Sequence, residues 1–96
     1  MPMHYVYILY SEAKDRFYVG ETAHLEGRLE QHNAGFYKNA STKVATDWAN
    51  YLTIECTDRS QALKMESFIK RQKSRKFIQK LKLEPALANE ILKRFS

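Results

Sequence analysis

The sequence holds one cysteine, three glycines and two prolines in 96 residues. A lone thiol, Cys56, cannot close an intramolecular disulfide or build a multi-cysteine zinc cluster, so a reducing, cytoplasmic setting is the default expectation. With little glycine or proline, no low-complexity stretch and no internal repeat, the chain reads as one domain over residues 1–96. No apolar run approaches the roughly 20 residues that a membrane-spanning helix needs. The start, Met1-Pro2-Met3-His4, lacks the basic and apolar regions of a signal peptide. Acidic residues are scarce only towards the end of the chain. Residues 59–96 carry eleven Lys/Arg against three Asp/Glu, a balance of +8. Residues 1–58 carry five against eight, a balance of −3. Such segregation points to an anionic partner, nucleic acid or membrane headgroups.

What is present is an ordinary globular mixture, 44% hydrophobic and 28% charged. His4–Tyr10 is β-branched, aromatic or aliphatic almost throughout, as in a strand buried on both faces. A polar stretch at 11–15 and a second short strand at Arg16–Gly20 make an antiparallel hairpin. Thr22 is the expected N-cap of a first helix carrying Leu25, Leu29 and His32, with Asn33-Ala34-Gly35 as its stop and Gly35 as a left-handed cap. Residues 36–47 show no period and read as a loop. Trp48–Thr57 alternates, with Leu52, Ile54 and Cys56 on one face. From Asp58 the pattern is helical: an Asp58/Gln61 capping box, a Ser74 cap and a Glu84-Pro85 start. The predicted class is α+β: a small three-stranded antiparallel sheet flanked by helices, in the order β-β-α-β-α-α plus a C-terminal helix over about 85–95.

Chemistry-bearing residues stand out in three places. Tyr5, Tyr7 and Tyr10 lie on the first strand and Tyr18 on the second. Packing explains Tyr5 and Tyr10, whereas Tyr7 and Tyr18 would meet across a hairpin centred near residues 12 and 13 and offer hydroxyls to a phosphate. Arg28 and His32 share one helix face. An Arg there ordinarily snorkels and a His ordinarily sits satisfied in the core, yet the pair also suits phosphate binding and proton transfer. Between Lys64 and Lys82 stand eight basic residues and one acid, Glu66. Its ordinary reading is an ion pair with Lys70. Because Mg²⁺ often takes only one or two protein carboxylates, a single Glu on a basic helix can also serve a metal. Lys64, Lys70, Arg71, Lys73, Arg75 and Lys76 are candidate phosphate contacts, favoured over membrane contacts because the interleaved apolar residues have a core stripe to occupy. His4 and His24 show no metal-ligand spacing.

In this order the residues resemble the GIY-YIG nuclease family, in particular small stand-alone bacterial members related to the UvrC nuclease domain. Tyr5-Val6-Tyr7 and Tyr18-Val19-Gly20 stand for the two tripeptides. Arg28 matches the helix arginine, His32 the His or Tyr one turn later, and Glu66 the metal-binding glutamate. The resemblance spans about residues 3–82. Tyr5 replaces the first glycine. An asparagine found in many members a dozen residues after the glutamate is absent, the positions being Phe77, Ile78 and Gln79. The resemblance implies a metal-dependent endonuclease acting on DNA, in repair or recombination. Glu66 would hold one Mg²⁺ or Mn²⁺, Tyr7 would orient or deprotonate the attacking water with Tyr18 in support, Arg28 would stabilise phosphoryl charge, and His32 would position the nucleophile or relay a proton. Branched or damaged DNA, and RNA, stay open as substrates. With no appended reader module, specificity is expected from DNA shape or a protein partner. Two other readings are a nucleic-acid-binding module of the same fold that has lost turnover with the asparagine, and a protein-interaction domain with a solvated basic tail.

Overall fold

β-Branched and aromatic residues form the strand β1 (His4–Ser11), the centre of a three-stranded antiparallel sheet ordered β2-β1-β3. Its neighbours are β2 (Arg16–Thr22) and β3 (Trp48–Cys56). The helices are α1 (Arg28–Asn33), between β2 and β3, and then α2 (Arg59–Gln72), α3 (Arg75–Leu83) and α4 (Pro85–Lys93). This is the α+β order read from the sequence. The computed structural model describes residues 3–34 and 45–95. The left-handed cap at Gly35 and most of the predicted loop lie outside those residues.

β1 lacks alternation because both of its faces are buried. Val6 and Ile8 pack with Ile54, Met65, Ile69 and Leu81 on one side, while Tyr7 and Leu9 pack with Ala45 and Trp48 on the other. The main core therefore lies between the sheet and α2–α4, and a smaller cluster lies on the α1 side, where Leu25 and Leu29 cover it. Cys56 belongs to the main core, where burial pushes its thiol up to about 11.

Three local features differ from the sequence reading. The hairpin pairs Tyr7 with Gly20 and Leu9 with Tyr18, so the two tyrosines meet diagonally rather than face to face. Residues 12–15 form the turn, closed by an Asp15 N–H to Glu12 carbonyl bond of 3.3 Å, with Asp15 in the left-handed region at φ 51°. A bulge then interrupts β3: Ile8 faces Leu52 but Leu9 faces Asn50, leaving Tyr51 as the extra residue. Strand parity flips there, so Trp48 is buried on the Tyr7 side although Leu52, four residues on, packs with the main core. Finally, Thr22 is no N-cap. It is the last residue of β2 and is buried, its hydroxyl accepting the His24 N–H (3.0 Å) and donating to the His24 carbonyl (3.1 Å). This local turn satisfies the threonine and delays the helix to Arg28, after Gly27 at φ 81°.

The later caps follow the sequence reading. Asp58 accepts the Gln61 N–H at 2.8 Å, while Gln61 Oε1 accepts from the Thr57 N–H, one residue earlier than in a standard box. Ser74 caps α3 by accepting the Phe77 N–H at 3.1 Å, and Pro85 opens α4. α2 ends on Lys73 in the left-handed conformation (φ 46°), a position that usually takes glycine.

Candidate functional site

Tyr7, Tyr18 and His32 converge on the α1 side of the sheet. The Tyr7 hydroxyl is 2.8 Å from His32 Nε2, and the Tyr18 ring centroid lies 6.2 Å from that of Tyr7 and 4.8 Å from that of His32. Gly20 makes this convergence possible. Facing Tyr7 across the ladder, it has no side chain, and a Cβ there would lie 2.6 Å from Tyr7 Oη and 3.0 Å from Tyr18 Cε2. A glycine inside a strand pattern is the sequence signal for such a close approach.

α1 is only six residues long, so its placement depends on its end. The Asn33 side-chain amide donates to the Trp48 carbonyl (3.0 Å) and accepts the Trp48 N–H (2.6 Å), acting as an extra strand neighbour at the start of β3. This fastens His32, which is 1% exposed, over Tyr7. Burial chiefly, and then the positive charge of Arg28, hold His32 below its ordinary value of about 6.5, so the imidazole is neutral at pH 7. Arg28 opens α1 and is half-buried, with Nε 3.4 Å from the His24 carbonyl. A cavity of about 170 Å³ opens between β1, β3 and α1 with Tyr7, Arg28 and Asn50 among its walls.

Glu66 comes from the other side of the sheet. It lies on α2, whose Met65 and Ile69 pack with Val6 and Ile8 on the face of the sheet opposite the tyrosine–histidine cluster. The Lys70 ammonium is 3.7 Å from its Oε1. Burial raises its carboxyl above the usual range; Lys70 opposes that rise and the negative charge of Glu21 adds to it. Glu21 follows Gly20 on β2 and contacts His4. Leu63, three residues before Glu66, is exposed.

Residues 3–82 match the family of the GIY-YIG catalytic domain. The chain belongs to the GIY-YIG family. No curated protein and no solved structure matched it. GIY-YIG proteins are nucleases, hydrolases that act on nucleic acid, and they generally use divalent metal ions. In this GIY-YIG chain the described residues contain no group of three or more His, Cys, Asp or Glu able to hold a metal ion. A protein cage is therefore absent among them, yet a single partly buried carboxylate at Glu66 fits a hydrated Mg²⁺-type ion that keeps most of its waters. Among the described residues no helix is long and apolar enough to cross a membrane.

The six candidate phosphate contacts are all exposed. Lys64, Lys70 and Arg71 border a hollow between α2 and Phe95, whereas Lys70, Lys73 and Arg75 border a second one beside β2. Arg75 is already engaged: its guanidinium donates to Asp15 Oδ1 and to the Asp15 carbonyl, each at 2.5 Å, and lies 5.4 Å from the centre of the Phe17 ring. Where many members carry the asparagine, Phe77 and Ile78 pack against the main core. Along the sequence Gly20 has no role beyond its tripeptide, Asn33 none beyond the helix stop, and Phe17 none.

Proposed function

We propose that the chain is a Mg²⁺- or Mn²⁺-dependent endonuclease that hydrolyses DNA phosphodiester bonds, with Tyr7, Tyr18, Arg28, His32 and Glu66 as its working residues. The observation that carries this reading is the buried 2.8 Å contact between the Tyr7 hydroxyl and His32 Nε2 beside Tyr18. A neutral imidazole offers Nε2 a lone pair for the phenolic hydrogen, which turns a Tyr7 oxygen lone pair outward. Tyr7 then takes a proton from the attacking water as its own passes to His32, so a phenol near 10 need not ionise in advance. Tyr18 packs against both rings and keeps them in register. Arg28 stabilises charge on the phosphoryl oxygens in the transition state. Glu66 holds the divalent ion, which supplies Lewis-acid stabilisation when bound. The exposed cations Lys64, Lys70, Arg71, Lys73 and Lys76 grip the phosphate backbone. Arg75 shapes the surface through Asp15 and adds to its positive field.

The same reading places the protein in the cytoplasm, in DNA repair or recombination, with branched or damaged DNA favoured and a protein partner supplying further specificity. A second reading, a nucleic-acid-binding module with impaired turnover, draws on the partly buried Phe77 and buried Ile78 at the asparagine position. One experiment separates the two. Purified protein and its Glu66→Ala and Tyr7→Phe variants are incubated with branched, nicked and single-stranded DNA in Mn²⁺. The nuclease reading expects cleavage by wild type alone; binding without cleavage by wild type establishes the module, and cleavage by all three sinks the proposed chemistry.

A further inference from the structure

The β3 bulge puts two polar residues on the Tyr7 side of the sheet. On an unbroken strand, residues three apart point to opposite faces, because successive side chains alternate. Here Tyr51 is the extra residue, so Asn50 faces Leu9 while Thr53 faces Tyr7, and both stand on the α1 face. α3 holds the bulge in place. The Lys82 ammonium donates to the Tyr51 carbonyl at 2.7 Å and lies 4.4 Å from the centre of the Tyr51 ring. Bulges next to active sites often re-aim a side chain in this way.

Asn50 and Thr53 line the cavity of about 170 Å³ that Tyr7 and Arg28 also wall. Its remaining walls are three leucines. Among these described residues Arg28 is the one charge and there is no carboxylate, so the cavity favours an anion. The Thr53 hydroxyl donates to Asn50 Oδ1 across 3.4 Å. With its oxygen so occupied, the exposed Asn50 amide has its Nδ2 hydrogens left to give, and among the described residues they have no partner. The leucines thin out the water around these groups, and there a fixed donor stabilises charge more than it does in bulk solvent. At roughly 30 Å³ per water the space corresponds to about six waters, room enough for a phosphoryl group.

We propose that Asn50 is a further substrate-binding residue of this site: its Nδ2 group donates to a non-bridging oxygen of the scissile phosphate, beside Arg28. The bulge and its Lys82 clamp are what bring it there. The proposal deepens the nuclease reading and rests on it for the identity of the anion. Asn50 and Arg28 then divide the charge that develops on the phosphoryl oxygens between a neutral donor and a cation.

The test watches the amide itself, in wild-type protein and without turnover. In ¹⁵N-labelled protein kept in EDTA at constant ionic strength, the Asn50 side-chain NH₂ signal is identified by its loss in Asn50→Asp, and the Arg28 Nε–H signal by its loss in Arg28→Lys. Inorganic phosphate is then titrated in. The two signals are expected to move together and to saturate with one dissociation constant. An Asn50 signal that stays still, or that follows a different constant from Arg28, would overturn the contact. Cleavage in Mn²⁺ is scored separately on wild type, Asn50→Ala and Asn50→Asp, which are expected to melt like wild type because the residue is exposed. Loss of one such donor should slow cleavage about 100-fold, and a variant rate within about twofold of wild type removes Asn50 from the phosphate. If phosphate moves the Asn50 signal but wild type cleaves nothing, the nuclease reading fails and the anion contact stands. If wild type cleaves and the signal stays still, the reverse holds.

Discussion

Gly20 and Tyr7 face each other so closely that one methyl group decides whether the site forms. In Gly20→Ala the new Cβ would lie 2.6 Å from the Tyr7 hydroxyl, so the phenol must move off His32. Because reacting groups misplaced by about 1 Å can cost about 100-fold, cleavage is expected to fall at least that much while circular dichroism keeps its α+β shape. His32 carries a second prediction. Its folded value is depressed below the unfolded one of about 6.5, so its contribution to stability is complete above that pH and is lost as the pH falls through the window beneath it. Melting temperatures recorded from pH 7.5 to 5 should decline below 6.5 in wild type more steeply than in His32→Gln. If neutral His32 receives the Tyr7 proton, the acid limb of the cleavage profile also lies below 6.5. An acid limb above 6.5 would remove His32 from the proton path.

Among the elements, α1 depends on others for its position. Six residues are too few for an independently stable helix, and its N-cap, Gly27, offers no side-chain hydrogen bond. Asn33 therefore holds it through both backbone groups of the buried Trp48. Asn33→Ala leaves those groups without the amide, a cost of about 1–3 kcal/mol, which corresponds to a fall in Tm of roughly 4 °C or more for a domain of this size. Cleavage should fall further than stability, because α1 carries both Arg28 and His32. A variant that melts lower but cleaves at the wild-type rate would show that the helix is placed by other contacts. The start of this helix was also the poorest part of the sequence reading. Thr22 has the chemistry of an N-cap but spends it on a local turn with His24, and which bond a threonine makes depends on the backbone it already occupies. The Asp58, Ser74 and Pro85 helix starts were legible because cap and first turn lie within four residues of one another.

Across the whole molecule the charge is divided between two jobs. The proposed reaction groups Tyr7, Tyr18, Arg28 and His32 sit in the acidic part of the chain, and the proposal gives the long-range attraction to the exposed cations of α2 and α3. DNA affinity should fall steeply with salt, with a log–log slope of about −0.7 per phosphate contact on single strands and −0.9 on duplex. Lys64→Glu with Arg71→Glu is expected to flatten that slope by about 1.4–1.8 through the loss of two contacts. An unchanged slope would show that the hollow beside Phe95 takes no phosphate.

The order of elements, the two-sided burial of β1, the later caps and the GIY-YIG family were all readable along the chain, because periodicity, caps and motif spacing are local. The diagonal meeting of the tyrosines, the β3 bulge that turns Trp48 onto the Tyr7 side and the clasp of Asn33 on Trp48 were not. Nor was the arrival of Glu66 from the opposite side of the sheet. Each of these follows from a turn length or a strand register, and one residue more or less in either sends a side chain to the other face. Which residues this protein offers is set by local chemistry; how they meet is set by register, which exists only once the strands have paired.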